Sequence, residues 1–504
     1  MKGVIAAGDV KTAEAGAEIL RVGGNAFDAT LAAMLAAPLC EPVFTSLGGG
    51  GFLLATEENK DPILYDFFVD VPPKEMQEPE FFPVYIDFKT AIQEFHIGCG
   101  SAAVPGMIKG IWQMYQEKAS LPLEQLIQPA LRYAREGIYL SKMQASFIKL
   151  LEPIFTSTRS CQELYAKNGV LIDETHLFKN PDYANFLERF AREGDALFYE
   201  GDVAQSIHDL CAQKGGLITK KALQKYCVHK RKPIRFSYEG YDVYTNPPPS
   251  SGGILIAFSL MMLEKRDLGA INSRKHMMHF IESLKITTEF RKEHVDAYIH
   301  QTNLEEILTH KRLLDNFNIS MQSRLNLWGN TTHISVMDEA GNATSVTTTN
   351  GEACGHIIPG TGILLNNMLG EEDLNPHGFF SWPQGVRLPS MMAPTALSKN
   401  GKPEMILGSA GSNRIRSAIL NTIVGYTHFD QNIQEAISAP RVHLDKDVVY
   451  MEPGFYADPN EIAHHYELKK FDELNLFFGG VQGVTHALEG GADPRRGAHV
   501  IQVK

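Results

Sequence analysis

Hydrophobic and polar positions divide the chain into helical stretches at the front and a strand-rich block further on. Thr12–Val22 is rich in Ala, Glu and Leu, and Gly23-Gly24 after it supplies a helix C-terminal cap. Asn25–Ala37 reads as a second, largely apolar helix that Pro38 ends. Pro and acidic residues cluster from Asp70 to Pro83, the composition of an exposed loop. From Leu121 to about Leu327 the pattern is mainly helical, broken by the strand-like Tyr241–Tyr244 and a Pro-rich turn. It shifts near Trp328. Thr332–Met337 and Ala343–Thr349 are β-rich, and Asp338-Glu339-Ala340-Gly341-Asn342 between them signals a hairpin. Met405–Leu407 and Val448–Met451 read as strands, Arg414–His428 and Ile433–Ile437 as helices. Helices, a β-rich block and helices again predict stacked helical and sheet layers.

The length, 504 residues, suits two to four domains or one large interwoven one. Apolar residues at 44% and charged residues at 21% exclude wholesale disorder. Lys+Arg 47 against Asp+Glu 59 leaves a net charge of −12, the wrong sign for a duplex nucleic-acid binder. Cys40, Cys99, Cys161, Cys211, Cys227 and Cys354 form no C-x-x-C pair, so they read as reduced, mostly buried thiols. Met1–Asp9 lacks the apolar stretch and cleavage site of a secretory signal, and Leu31–Leu39 and Ile254–Leu263 are too short for membrane spans. A cytoplasmic enzyme without membrane or nucleic-acid partners is the expectation.

Several familiar chemistries are absent. The chain has no Walker A loop, no H-E-x-x-H and no G-x-S-x-G elbow. Gly48–Gly51 lacks dinucleotide spacing and reads instead as permitting close backbone packing. Ser146–Lys149 matches S-x-x-K without its companion motifs, which chance explains. His464-His465 has no partner at metal-ligand spacing and reads as a solvated pair; Cys354 beside His356 reads as ordinary packing. No metal or cofactor is expected. Thr331-Thr332 taken alone would be only β-propensity.

The surroundings of that pair change the picture. Asn330-Thr331-Thr332-His333-x-Ser335-Val336-x-Asp338, Gly341-Asn342-Ala343 and Gly360-Thr361-Gly362-Ile363-Leu364-Leu365-Asn366-Asn367 resemble the small subunit of γ-glutamyltransferases, also called γ-glutamyltranspeptidases or glutathione hydrolases. Gly23-Gly24-Asn25-Ala26-x-Asp28-Ala29, Glu41-Pro42, Gly48–Phe52, Val104-Pro105-Gly106, Pro247–Gly253, Ala439-Pro440-Arg441 and Ala492-Asp493-Pro494-Arg495-Arg496 extend the resemblance, in order, over nearly the whole chain.

The resemblance implies an α+β N-terminal-nucleophile (Ntn) hydrolase fold, a four-layer αββα sandwich built from one inactive precursor. Thr331 would attack the carbonyl of Asn330, and hydrolysis of the ester would yield a large subunit, 1–330, and a small one, 331–504. The freed α-amine, with a pKa of roughly 7.7–8, would then activate the hydroxyl of the same residue. By the same resemblance Thr349 orients that nucleophile, and Gly411 and Ser412 hold the oxyanion through their main-chain N–H groups. Ser390 matches a substrate-contacting serine, and Arg387 an arginine just before it, a position that a surface charge would serve equally.

Departures from the family fall on substrate recognition. Phe68 stands where the family has the arginine that pairs with the glutamyl α-carboxylate, and Met391 replaces a second serine. The family's asparagine after the second threonine falls on Gly351, with Asn350 one residue away. Met368-Leu369-Gly370-Glu371-Glu372-Asp373 replaces Gln-x-Asp-Asp, leaving Glu371, Glu372 and Asp373 as candidate holders of an amino group. These changes predict relaxed selection of the amino-acid end, with glutaryl and γ-glutamyl amides turned over within about tenfold of each other. Leu374–Val386 is shorter than the usual lid region, which implies a water-accessible acyl-enzyme and hydrolysis over transfer. The expected substrate is a γ-glutamyl or related acyl amide, glutathione by default, with water or an amine as acceptor. The alternatives are a glutaryl- or cephalosporin-type acylase and an unprocessed homologue that only binds. The two subunits would pair with each other, which leaves homo-oligomers of that pair open.

Overall fold

The computed structural model describes residues 1–74, 78–88, 92–296, 299–300, 330–456, 462 and 465–504. Two antiparallel sheets lie at its centre. The larger has seven strands, in the order His229–Arg231, Ile63–Phe67, Gly50–Thr56, Ala343–Thr349, Thr332–Asp338, Gly3–Ala7, His499–Val503. The smaller has six, in the order Ile234–Tyr238, Tyr241–Thr245, Thr395–Lys399, Lys402–Ala410, Gly480–Thr485, Gly490–Ala492. Each sheet mixes strands from before and after residue 330, so the N- and C-terminal parts of the chain share both cores.

Strand alternation sorts the side chains between layers. Ile5, Ala7, Leu53 and Ala55 join an apolar cluster with helices Val10–Arg21 and Ala26–Cys40. Val4, Ala6, Phe52 and Leu54 point the other way, into a cluster shared with the six-stranded sheet and helices Gly252–Leu263, Ile415–Thr427 and Ile433–Ser438. Polar bridges cross between the sheets. Ser345 Oγ donates to Leu407 O at 2.7 Å and accepts from Thr395 N at 3.2 Å, and Ser335 Oγ donates to Gln482 O at 3.2 Å. His333, fully buried between them, pairs with Thr347 Oγ1 at 2.8 Å and Ser335 Oγ at 2.9 Å, and burial pushes its pKa down to about 3.

The expected hairpin is the central pair of the larger sheet, Thr332–Asp338 against Ala343–Thr349. Asp338 ties its turn together, accepting from Ala340 N and Asn342 N at 2.9 and 3.0 Å. Gly48–Gly51 does allow close approach, because a Cβ on Gly49 would collide with Thr349 O and one on Gly51 with Thr347 O. Pro38, by contrast, does not end the second helix, which runs Ala26–Cys40. It falls in the last turn, where one lost backbone bond costs little, and Glu41 N still reaches Ala37 O at 2.7 Å. The stretch from Asp70 is not wholly exposed either, since Val71 and Pro72 are buried and Phe82–Asp87 forms a strand. Sequence periodicity missed Gly3–Ala7 and Gly50–Thr56 because both faces of these strands are covered and no polar alternation remains.

All six cysteines are free, five buried and Cys227 exposed. Burial drives the Cys354 thiol far above its ordinary range, and His356 turns to Glu80 at 2.7 Å instead. Ser146 and Lys149 are exposed on one helix, and His464 lies outside the described residues. Among the described residues no helix is long and apolar enough to cross a membrane.

Candidate active site

The strand pair ends at a cleft. Asn330, Thr331 and Thr349 form its floor; Ser390, Met391 and Met392 line one wall, and Ser412, Asn413 and Ile415 another. Glu371, Asp373, Leu374, Pro376 and Trp382 come from the segment after Asn366-Asn367. Strand alternation explains why Thr331 arrives there: Thr332 Oγ1 turns to Glu41 on the helix side, and its neighbours turn the other way.

The Asn330 carbonyl accepts a hydrogen bond from Thr349 Oγ1. Thr349 Oγ1 in turn accepts from Gly351 N at 3.0 Å. The hydroxyl is therefore held by a backbone donor and aimed at the bond on the N-terminal side of Thr331. Such a donor favours negative charge on the carbonyl oxygen.

Gly411 takes φ +120°, and a Cβ there would lie 2.8 Å from Gly479 Cα, so only glycine fits. Ser412 follows with φ +50°, held by its side chain, which donates to Asp373 Oδ2 at 2.6 Å. The same Asp373 oxygen accepts from Asn413 Nδ2 at 3.2 Å. Ser390 Oγ accepts from Met392 N at 3.1 Å while the Ser390 carbonyl accepts from Ser251 N at 2.8 Å. This segment is fixed by backbone contacts before any ligand arrives.

Three residues singled out from the sequence do not face the cleft. Arg387 is neither a cleft residue nor a surface charge. It is buried, its Nε lies 3.0 Å from Asp70 Oδ1, its Nη2 donates to Cys227 O at 2.7 Å, and its Nη1 reaches Phe68 O and Tyr226. Its charge is consumed in joining the Asp66–Asp70 segment to the strand edge. Asn350 is buried against Leu365 O at 3.4 Å, and Glu372 is exposed outside the cleft.

Other residues take the places left open. Glu352 is 2% exposed, and its Oε2 has no hydrogen-bond partner among the described residues. Glu371 Oε1 is likewise sealed and unpartnered, and Gly351 is so close to it that a Cβ there would collide. Burial pushes Glu352 up to about 8, with Asp373 adding to the effect, and drives Glu371 well above the carboxylate range, with Glu352 and Asp373 adding. Of the two, Glu371 lines the cleft.

Arg291, which also lines the cleft, pairs with Asp296 Oδ1 at 2.9 Å and donates to Asn413 Oδ1 at 3.1 Å. It is the cation lining the cleft among the described residues. Sequence spacing offered no sign of Arg291 or Glu352. Arg291 sits in a helical stretch far from every motif, and only packing turns it inward.

A family model described as gamma-glutamyltranspeptidase matches residues 12–503. The chain is 29% identical to a glutathione hydrolase proenzyme of Escherichia coli, an alignment covering 98% of this chain and 90% of that protein. It is 30% identical to an acylase ACY 1 proenzyme of a Pseudomonas species, over 92% of this chain and 85% of that one. A solved structure of cephalosporin acylase from Bacillus halodurans superposes with a TM-score of 0.86 at 22% identity, covering 100% of this chain and 96% of the other. That likeness concerns the fold.

Proposed function

Given that the chain belongs to the γ-glutamyltranspeptidase family and is an enzyme, we propose that it is an autoprocessed N-terminal-threonine amidohydrolase acting on γ-glutamyl amides such as glutathione. The observation that carries this reading is the Thr349 hydroxyl on the Asn330 carbonyl, at the floor of the cleft that holds Thr331. We read the helix and sheet layers as the αββα sandwich of Ntn hydrolases. The units are 1–330 and 331–504, paired as large and small subunits.

Processing begins when Thr331 Oγ attacks the Asn330 carbonyl carbon. The C–N bond breaks, the nitrogen takes the hydroxyl proton, and an ester joins Asn330 to Thr331. Water then cleaves the ester, leaving a carboxylate at residue 330 and a free amine and hydroxyl at Thr331. In turnover the amine removes the hydroxyl proton as Oγ attacks the substrate amide. The N–H groups of Gly411 and Ser412 receive the oxyanion, and the proton leaves with the departing amine. Water, entering from the cleft mouth, hydrolyses the acyl-enzyme; Leu374–Val386 places only Leu374, Pro376 and Trp382 along the cleft, so hydrolysis is favoured over transfer. Thr349→Val should slow processing by about 10²–10³-fold, the usual loss of one oxyanion donor. A time course of intact mass after expression checks this.

Within the substrate, the α-amine is assigned to Glu371 backed by Glu352, and the α-carboxylate to Arg291. The carboxyl pair replaces the relaxed specificity expected from sequence with a preference for the amine. A charge-assisted pair is worth about 1.5–3 kcal/mol, so γ-glutamyl-p-nitroanilide should exceed glutaryl-p-nitroanilide in kcat/KM by about 10–150-fold. Glu371→Gln should close that gap and leave glutaryl turnover nearly unchanged. Equal rates in the wild-type enzyme would favour the acylase reading, which the apolar wall of Phe68, Met391 and Met392 supports.

A further inference from the structure

Arg496 closes the short turn Pro494–Arg496, which the Asp493 side chain caps by accepting from Arg495 N at 3.0 Å. The turn brings two arginines into the interior beside Arg441, and Arg441 and Arg495 take the local carboxylates. Arg441 pairs with Asp493 at 2.7 Å, and Arg495 with Glu452 and Asp493 at 2.5 and 3.2 Å. Arg496 is left differently placed. It is 4% exposed, its guanidinium lies 5.3 Å from the Phe44 ring, and its Nε has no hydrogen-bond partner among the described residues. Its Nη1 donates to the carbonyl of Thr331 at 3.2 Å. Its stem runs along Gly480, where any Cβ would collide with it, and its Nη2 sits 3.7 Å from the Cβ position of Gly411. One buried cation therefore touches the nucleophile residue and lies beside the Gly411 loop.

A counter-charge lies on the helix side. Glu41 Oε2 accepts from Thr332 Oγ1 at 2.6 Å and Glu41 Oε1 from Thr12 Oγ1 at 2.8 Å, so the carboxyl is anchored to the residue next to the nucleophile. Burial, with Asp9 adding, raises Glu41 to about 7 against the hydrogen bonds from Thr332 and Thr12 and the charge of Arg496. Burial lowers Arg496 to about 10, with Asp493 and Glu41 supporting its charge and Arg414 and Arg441 opposing it, so it stays cationic at neutral pH.

We propose that Arg496 is a positioning residue that fixes Thr331 through its carbonyl and keeps the freed α-amine unprotonated, with Glu41 as the opposing charge. This rests on the reading that the amine is the base. The contact survives processing because the Thr331 carbonyl lies on the C-terminal side of the bond that is cut, whereas the Thr349 contact to Asn330 lies on the other. A fixed cation a few ångströms from an amine disfavours its ammonium form, by about one to two pKa units where water is excluded. An anion does the reverse. Arg496 thus raises the fraction of competent base, and Glu41 limits that gain as it ionises near neutrality.

The test is the pH profile of kcat/KM on γ-glutamyl-p-nitroanilide, with processed enzyme confirmed by intact mass. Arg496→Gln should move the acid limb up by about one unit, Arg496→Lys should restore it, and Glu41→Gln should move it down. A merely structural role would lower the rate at every pH and leave the limb where it was, which would overturn the proposal. If Arg496→Gln does not fold, an unmoved limb in Glu41→Gln overturns it alone. A wild-type enzyme that neither processes nor turns over any acyl anilide refutes the amine-base reading and this inference with it; an active wild-type enzyme whose limb ignores these substitutions refutes the inference only.

Discussion

Thr331→Ala should remain a single chain of 55.9 kDa, where the wild-type protein is expected to give fragments of roughly 37 and 19 kDa. The substitution removes the proposed nucleophile while leaving the Thr349 hydroxyl on the Asn330 carbonyl. Activity should fall by about 10⁴-fold or more, since loss of the nucleophile defeats every step that depends on it. Mass spectrometry of purified protein and hydrolysis of γ-glutamyl-p-nitroanilide measure the two effects separately. An alanine variant that still splits before residue 331 would assign processing to another group and remove Thr331 as its nucleophile.

Gly411→Ala is expected to cost about 10²–10³-fold in kcat with little change in KM. Alanine at φ +120° is strained, and its Cβ would meet the Gly479 backbone at 2.8 Å, so the loop must move. Moving it would take the 411 and 412 N–H groups, the proposed oxyanion donors, away from the substrate carbonyl. Ser412→Ala provides the contrast. It keeps both donors and loses only the 2.6 Å bond to Asp373, so its kcat should stay within about tenfold of wild type. Thermal unfolding of each variant separates lost activity from lost fold. Equal losses in the two would mean that the side chain of Ser412, rather than the main chain, carries the effect.

The sequence determined what local chemistry can write. The hairpin from Thr332 to Thr349 was legible because its strands and turn residues are consecutive, and the structure places it at the centre of the larger sheet. The glycine run at 48–51 announced a close approach, and the neighbour it approaches is the Thr349 strand. Family membership followed from ordered motifs, and with it the pairing of Asn330 and Thr331. Direction of side chains was another matter. Arg387 and Asn350 stand beside cleft residues in sequence but turn into the interior, since Asp66, Asp70 and Leu365 offer partners there. Arg291 lines the cleft and Arg496 reaches the Thr331 carbonyl from segments remote in the chain, and no spacing rule connects them. A motif records which residues are adjacent along the backbone. Whether a charge faces a ligand, a carbonyl or another charge depends on which burial leaves the fewest polar atoms unpaired, and that choice is made only when distant segments pack together.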